Sequence, residues 1–274
     1  WIETFFDWFQ NAFDWLITFT NVVIGGMYHG LNLVLSKPLY LVMMVVFAAI
    51  GWACASWKVG LLALIGFYLV RAMDQWNNTM QTLALVVVAV ILALIVAIPL
   101  GIWAAKSKRF SAIIKPILDF MQTMPSLAYL VPVIVLFGIG QVPGAIATII
   151  FALPPGVRFT ELGIRGVDAE TVEAGAAFGA SPRHILWRIQ MPLAMPTVMA
   201  GVNQVIMLAL SMVVLSGMVG AGGLGGDVVA ALSQVDIGLG MEAGLAVVVV
   251  AVYLDRITSG LANRTPLARA QRAS

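Results

Sequence analysis

The chain has 274 residues, 61% of them hydrophobic and 10% charged, with 15 Lys and Arg against 13 Asp and Glu. Soluble domains carry about a quarter charged residues, so a soluble globular fold is excluded, and a net charge of +2 does not suggest a nucleic-acid partner. Charge-free runs cover 38–57, 80–105, 120–157 and 189–226. A helix needs about 20 apolar residues to cross a bilayer, so two of these runs have room for more than one crossing. The composition predicts an all-α polytopic membrane protein.

At the N-terminus, Trp1, Phe5, Trp8, Ala12, Trp15 and Phe19 recur at steps of four and three, on one face of a helix. Glu3, Asp7, Gln10 and Asp14 follow the same rhythm on the opposite face, and Phe6, Phe9, Phe13 and Leu16 widen the apolar arc. Such an aromatic amphipathic helix either lies at the bilayer interface or packs on the protein's own flank. Segment 1–36 is thus expected to be an external interfacial region. With acids and no basic stretch before it, this region does not read as a cleavable signal peptide.

About seven spans follow, near 38–57, 59–73, 80–105, 116–140, 143–160, 193–217 and 239–258. The second is the shortest, because Lys58 and Arg71 bracket only twelve uncharged residues. A span of that length requires thinning of the bilayer or snorkelling of its flanking charges. The first two spans form a peripheral unit, 37–75. In this arrangement only Lys37 and Arg71 fall on one side, and the other thirteen Lys and Arg fall on the opposite side. The positive-inside bias therefore places the 106–115 loop, the 161–192 loop and the tail 261–274 in the cytoplasm, with the N-terminus outside. Cys54 is the only cysteine, which excludes an intrachain disulfide and a Cys-based metal site. His29 and His184 lie on opposite sides and read as surface residues. No metal site is expected.

The 161–192 loop is the most informative segment. Asp168 can cap a helix from Ala169, with Glu170 and Glu173 near its positive end. Gly179 is a C-terminal stop, and Ser181-Pro182 opens a second helix. Pro192 is expected to interrupt the chain before the next apolar run. Ala174, Gly175, Ala176 and Ala177 give the first helix a nearly bare surface, and Phe178 adds one bulky knob. On composition alone this surface either receives a partner protein or lies against the membrane. The full spacing favours docking: Glu173-Ala174, Gly179 six residues after the Glu, and Ile189-x-x-Pro192 beyond it.

That spacing resembles the EAA loop of ABC importer permeases, with Gly175 and Met191 where the usual pattern has Ala and Leu. Further segments resemble the glycine betaine/proline permeases: 119–126 (DFMQTMPS), 151–156 (FALPPG), 199–204 (MAGVNQ), 209–214 (ALSMVV) and 220–225 (GAGGLG). The resemblance covers about residues 75–258. It implies a five-helix core, 76–260, of the type I importer (MetI-like) fold in the bacterial cytoplasmic membrane. It also implies a second copy of the chain, an external solute-binding protein, and separate ATPase subunits that hold ATP and Mg²⁺. Glu173, Ala174, Gly175, Ala177, Phe178, Gly179 and Pro192 would form the ATPase-coupling loop. No catalytic residue is expected on this chain.

The segment Gly220-Ala-Gly-Gly-Leu-Gly225 fits the dinucleotide letters G-x-G-x-x-G. A strand would have to precede it, yet an uncharged span does, so it reads as a flexible outer loop. No Walker-type phosphate loop occurs anywhere in the chain. Polar and soft residues within the spans are candidates for the translocation path: Gln122, Met124 and Tyr129 in one, Asn203, Gln204, Met207 and Ser211 in another. They either line a path or hydrogen-bond between helices. Apart from Asp119, near a cytoplasmic end, no intramembrane acid or base is expected. An ion-coupled secondary transporter is the alternative reading, and the lack of midplane carboxylates counts against it.

Overall fold

The computed structural model describes Trp8, Gln10 and residues 12–263. The beginning of the predicted amphipathic helix and most of the predicted tail lie outside the described residues. Among the described residues all regular structure is helical.

The centre of the fold is α4 (Trp76–Lys106) beside α7 (Gln141–Arg165) and α10 (Met191–Ser216). Small residues set their spacing. A Cβ on Gly101 of α4 would overlap Thr160 of α7, and one on Gly156 of α7 would overlap Ala97. On the other side of α7, Gly201 of α10 sits under the Phe159 ring. In lipid there is little hydrophobic drive between helices, so close backbone approach of this kind supplies the packing energy. The helix α12 (Ile237–Asn263) flanks α10, and α11 (Gly223–Gln234) lies against both α12 and α4.

The peripheral unit contains α2 (Tyr40–Cys54) and α3 (Trp57–Ala72), an antiparallel pair. Phe47 of α2 stacks on Phe67 of α3, with ring centroids 4.4 Å apart. Both rings meet Tyr253 of α12 edge-on. The Tyr253 hydroxyl donates to the Phe47 carbonyl at 2.9 Å, so the ring cluster also satisfies its own polar group. Preceding this pair, α1 (Asp14–Ser36) turns by 104° from α2. It buries Ile24, Tyr28 and Leu35 and packs against α4 and α7.

The number of expected spans is not reproduced. Among the described residues four helical stretches, at 76–106, 141–165, 182–219 and 237–263, are long and apolar enough to cross a membrane. Two bent pairs bring the count to six at most. At 15 and 16 residues, α2 and α3 fall short of the length a single crossing needs. The span expected at 116–140 is broken into α5 (Lys108–Thr123) and a 3₁₀ turn leading into α6 (Leu130–Phe137), with a bend of 110°. Pro125 is the cause: it drives Met124 out of the helical region, to ψ 135°. The Tyr129 hydroxyl then donates to the Met121 carbonyl across the break.

The glycine-rich segment is a tight buried turn and not a loose loop. Gly222 and Gly223 have φ of 74° and 63°, where only glycine is unstrained. Gly223 N–H donates to the Gln81 amide oxygen at 3.1 Å, and Leu224 N–H to the Thr82 hydroxyl at 2.9 Å. Nearby, the Asp227 carboxylate accepts from Gln75 at 2.9 Å and from Asn78 at 2.6 Å. A polar stripe at the start of α4 therefore pins the first turn of α11.

Candidate functional site

The 161–192 loop forms as two helical pieces with an elbow. Its first helix, α8 (Ala169–Ala177), starts after Asp168, whose carboxylate does not cap a backbone N–H as expected and instead accepts the Thr171 hydroxyl at 3.2 Å. It ends in a Schellman turn: Gly179 N–H bonds to the Ala176 carbonyl at 2.9 Å and Ala180 N–H to the Gly175 carbonyl at 3.1 Å. Gly179 takes φ +78° there. Next comes α9 (Pro182–His184), where the Ser181 hydroxyl accepts from His184 N–H at 3.3 Å and Pro182 occupies the first turn.

Pro192 does not interrupt the chain as expected. Residues 182–219 form one helical stretch of 38 residues, with a π turn at Ile185–Gln190. Pro192 has no N–H for the Arg188 carbonyl and its ring crowds that oxygen. The wider π turn just before it accommodates both effects.

The two faces of α8 differ. Gly175 and Val172 point inward, and Gly175 lies so close to Ile189 and Ile185 that a Cβ there would meet the Ile189 side chain. Gly175 therefore seats α8 on its own π turn. Glu173, Ala174, Ala177 and Gly179 are exposed, and Phe178 is 92% exposed at the tip of the elbow. Pro192, also exposed, sits at the other end of the π turn.

Where the loop leaves the helical core it is braced by charge. Glu161, one turn before the end of α7, is buried and accepts the Ser111 hydroxyl of α5 at 2.7 Å. It pairs with Arg165 at 3.2 Å and Lys115 at 3.5 Å. Arg165 in turn donates to the Ala104 carbonyl of α4 at 2.7 Å. Arg158 of α7 pairs with Asp119 of α5, so the acid noted in the sequence is neutralised within the fold. Only the Glu161–Arg165 spacing, one helical turn, hinted at this hub.

The path candidates separate into two groups. Tyr129 and Asn203 are used internally, Tyr129 at the α5–α6 break and Asn203 toward α12. The Asn203 amide donates to the Asp255 carboxylate at 3.2 Å. Gln204 and Ser211 lie on an exposed stripe of α10, with Met207 half-buried between them, and Gln122 is exposed on α5 with Met124 half-buried at the break. The Ser211 hydroxyl bonds back to the Met207 carbonyl at 3.1 Å. Asp255 corrects the expectation of no further intramembrane acid: it sits eight residues before the end of α12.

Comparison with known proteins bears on this arrangement of packed helices and an exposed elbow. Residues 97–264 match the family described as "Binding-protein-dependent transport system inner membrane component". The chain belongs to this family. It is 44% identical over 264 residues to the glycine betaine transport system permease protein OpuAB of Bacillus subtilis (strain 168), covering 95% of this chain and 92% of that protein. It is 44% identical over 261 residues to the glycine betaine/proline betaine transport system permease protein ProW of Escherichia coli (strain K12), covering 93% and 74%. Identity is likewise 44% over 262 residues to the glycine betaine/carnitine transport permease protein GbuB of Listeria monocytogenes, covering 94% and 93%. Among solved structures, inward-facing MetNI methionine ABC transporter chains align with a TM-score of 0.58 at 22% identity, covering 69% of this chain and 92% of that one. That likeness shows the fold.

The chain is thus a membrane permease subunit of an ABC importer and not an enzyme, and its family works with an ATPase and a binding protein. With Asp255 in a span, a lack of carboxylates no longer argues against an ion-coupled carrier. The family assignment does.

Proposed function

We propose that two copies of this chain form the pathway of an importer for glycine betaine, proline betaine and similar zwitterionic or quaternary ammonium solutes. An external binding protein delivers the solute. Each copy inserts its α8 elbow into a groove of one ATPase subunit, with the 161–192 loop on the cytoplasmic side. ATP-driven closure of the ATPases moves the elbows and alternates access across the membrane.

The observation that carries this reading is the elbow itself. A large apolar ring, Phe178, is almost wholly exposed on a turn held rigid by two backbone hydrogen bonds. Leaving such a ring in water is unfavourable by roughly 2 kcal/mol, which a receiving pocket recovers. The names of the relatives support the substrate class. The exposed polar stripe of Gln204 and Ser211 supports α10 as a wall of the path.

The test is uptake of labelled glycine betaine in a host lacking its other betaine carriers. Glu173→Lys and Phe178→Ala are expected to abolish uptake while membrane abundance stays normal. Undiminished uptake in Glu173→Lys rejects the docking role. Uptake of an unrelated solute and none of the betaines rejects the substrate class and leaves the docking role standing.

A further inference from the structure

The outer face of α3 carries two apolar grooves side by side. One, of about 540 Å³, runs between α3 and α12 over Leu62, Ile65, Val248 and Val252. The other, of about 380 Å³, runs between α2 and α3 over Val45, Ala49, Trp52 and Leu64. Trp57 and Leu61 line both, so a ridge of two side chains separates them.

The larger groove has a cationic end. Lys58 lines it, in the first turn of α3. The helices α3 and α12 are antiparallel, since Gly66 meets Val249 and Ala55 meets Gly260. This register sets Lys58 level with Arg256, which lies one turn beyond the groove-lining Val252. Both side chains are exposed, and neither forms an ion pair among the described residues. Two like charges at one depth repel each other, and an anion between them removes that cost. Trp57 beside them is the residue type that settles at headgroup depth.

We propose that this surface binds one two-chained anionic phospholipid. Each groove takes one acyl chain, the chains straddle the Trp57–Leu61 ridge, and the phosphate lies between Lys58 and Arg256. The site requires only that the chain resides in a membrane and does not depend on the solute carried.

The complete transporter, purified from its host membrane, is equilibrated with equal dioleoyl phosphatidylglycerol and dioleoyl phosphatidylcholine, and retained lipid is counted by native mass spectrometry. Each cation near a headgroup contributes about fivefold in affinity, so phosphatidylglycerol is expected to be favoured about thirtyfold. Lys58→Gln/Arg256→Gln abolishes the preference, whereas Lys108→Gln at the start of α5 retains it. Equal retention of the two lipids by the unaltered protein overturns the proposal without recourse to any variant. Phosphatidylglycerol with brominated chains is expected to quench Trp57, seen as an increment lost in Trp57→Phe. Absence of that increment means another chain covers the face, or the lipid sits elsewhere, and also overturns the proposal. A single-chain lysophosphatidylglycerol that binds as tightly as the two-chained lipid overturns the straddling arrangement.

Discussion

The Ser111 hydroxyl donates to the buried Glu161 carboxylate at 2.7 Å across 50 residues of sequence, joining α5 to the last turn of α7. From that turn the chain runs through Gly166 into α8. Any movement of the elbow therefore pulls on a point where α5, α7 and, through Arg165, α4 are tied together.

Glu161→Ala is expected to lower stability more than Ser111→Ala. Losing the hydroxyl removes one hydrogen bond and costs about 1 kcal/mol. Losing the carboxylate strands Arg165 and Lys115, but their side chains are 35% and 53% exposed and water can resolvate them. The cost is then about 2 kcal/mol, below the 3–5 kcal/mol of a fully buried broken pair. Thermal unfolding of the purified protein in one detergent ranks the two variants. Equal midpoints would show that the hub contributes nothing beyond the single hydrogen bond.

Gly179 can be tested in the same way at the elbow. Its left-handed conformation costs an L-residue about 1–2 kcal/mol, so Gly179→Ala should loosen the Schellman turn without touching the spans. Hydrogen exchange at the amides of Gly179 and Ala180 is expected to accelerate about tenfold, with midspan amides unchanged. Gly175→Val should act differently, by pushing Ile189 off α8 and lifting the whole helix. Unaltered exchange in both variants would mean that the elbow is held by something other than these two glycines.

Much of this was legible in the chain because charge-free runs and turn residues act locally. Three of the four long helices end at or beside a charged residue, as at Lys106 and Arg165, and Ser181-Pro182 does cap its helix. What escaped was non-local. An uncharged run crossing Pro125 looks like one span, since hydropathy carries no direction; the proline marks a bend, but its size, 110°, appears only in the backbone. The bracing of Glu161 and the Asn203–Asp255 bond link residues 50 and 52 apart, and nothing in either local pattern marks the partner. The glycine-rich turn was misread for the same reason, because the groups that pin it, Gln81 and Thr82, lie 142 residues earlier.

Asp227 gives a test of that pinning. It accepts two amide hydrogen bonds from the start of α4, and bonds to a charged acceptor contribute about 1.5–3 kcal/mol. Asp227→Ala is expected to release the first turn of α11 from α4 and to expose the Gly223 and Leu224 amides to exchange. If their protection survives, Gln81 and Thr82 hold the turn unaided.

The last prediction separates a proposed path residue from a packing residue on one helix. Asn203 and Gln204 are neighbours on α10, yet Asn203 reaches Asp255 on α12 while Gln204 is exposed. Interhelical hydrogen bonds in membranes contribute about 0.6 kcal/mol on average and up to about 1.7. The Asn203 amide oxygen is buried with no partner of its own, so part of that gain is offset by an unsatisfied acceptor. A double-mutant cycle of Asn203→Leu with Asp255→Leu should return a coupling of about 1 kcal/mol in unfolding. Gln204→Leu should leave unfolding unchanged and reduce solute uptake instead. If Asn203→Leu reduced uptake as strongly as Gln204→Leu at unaltered stability, both amides would face the path and the bond to Asp255 would not be what holds Asn203 in place.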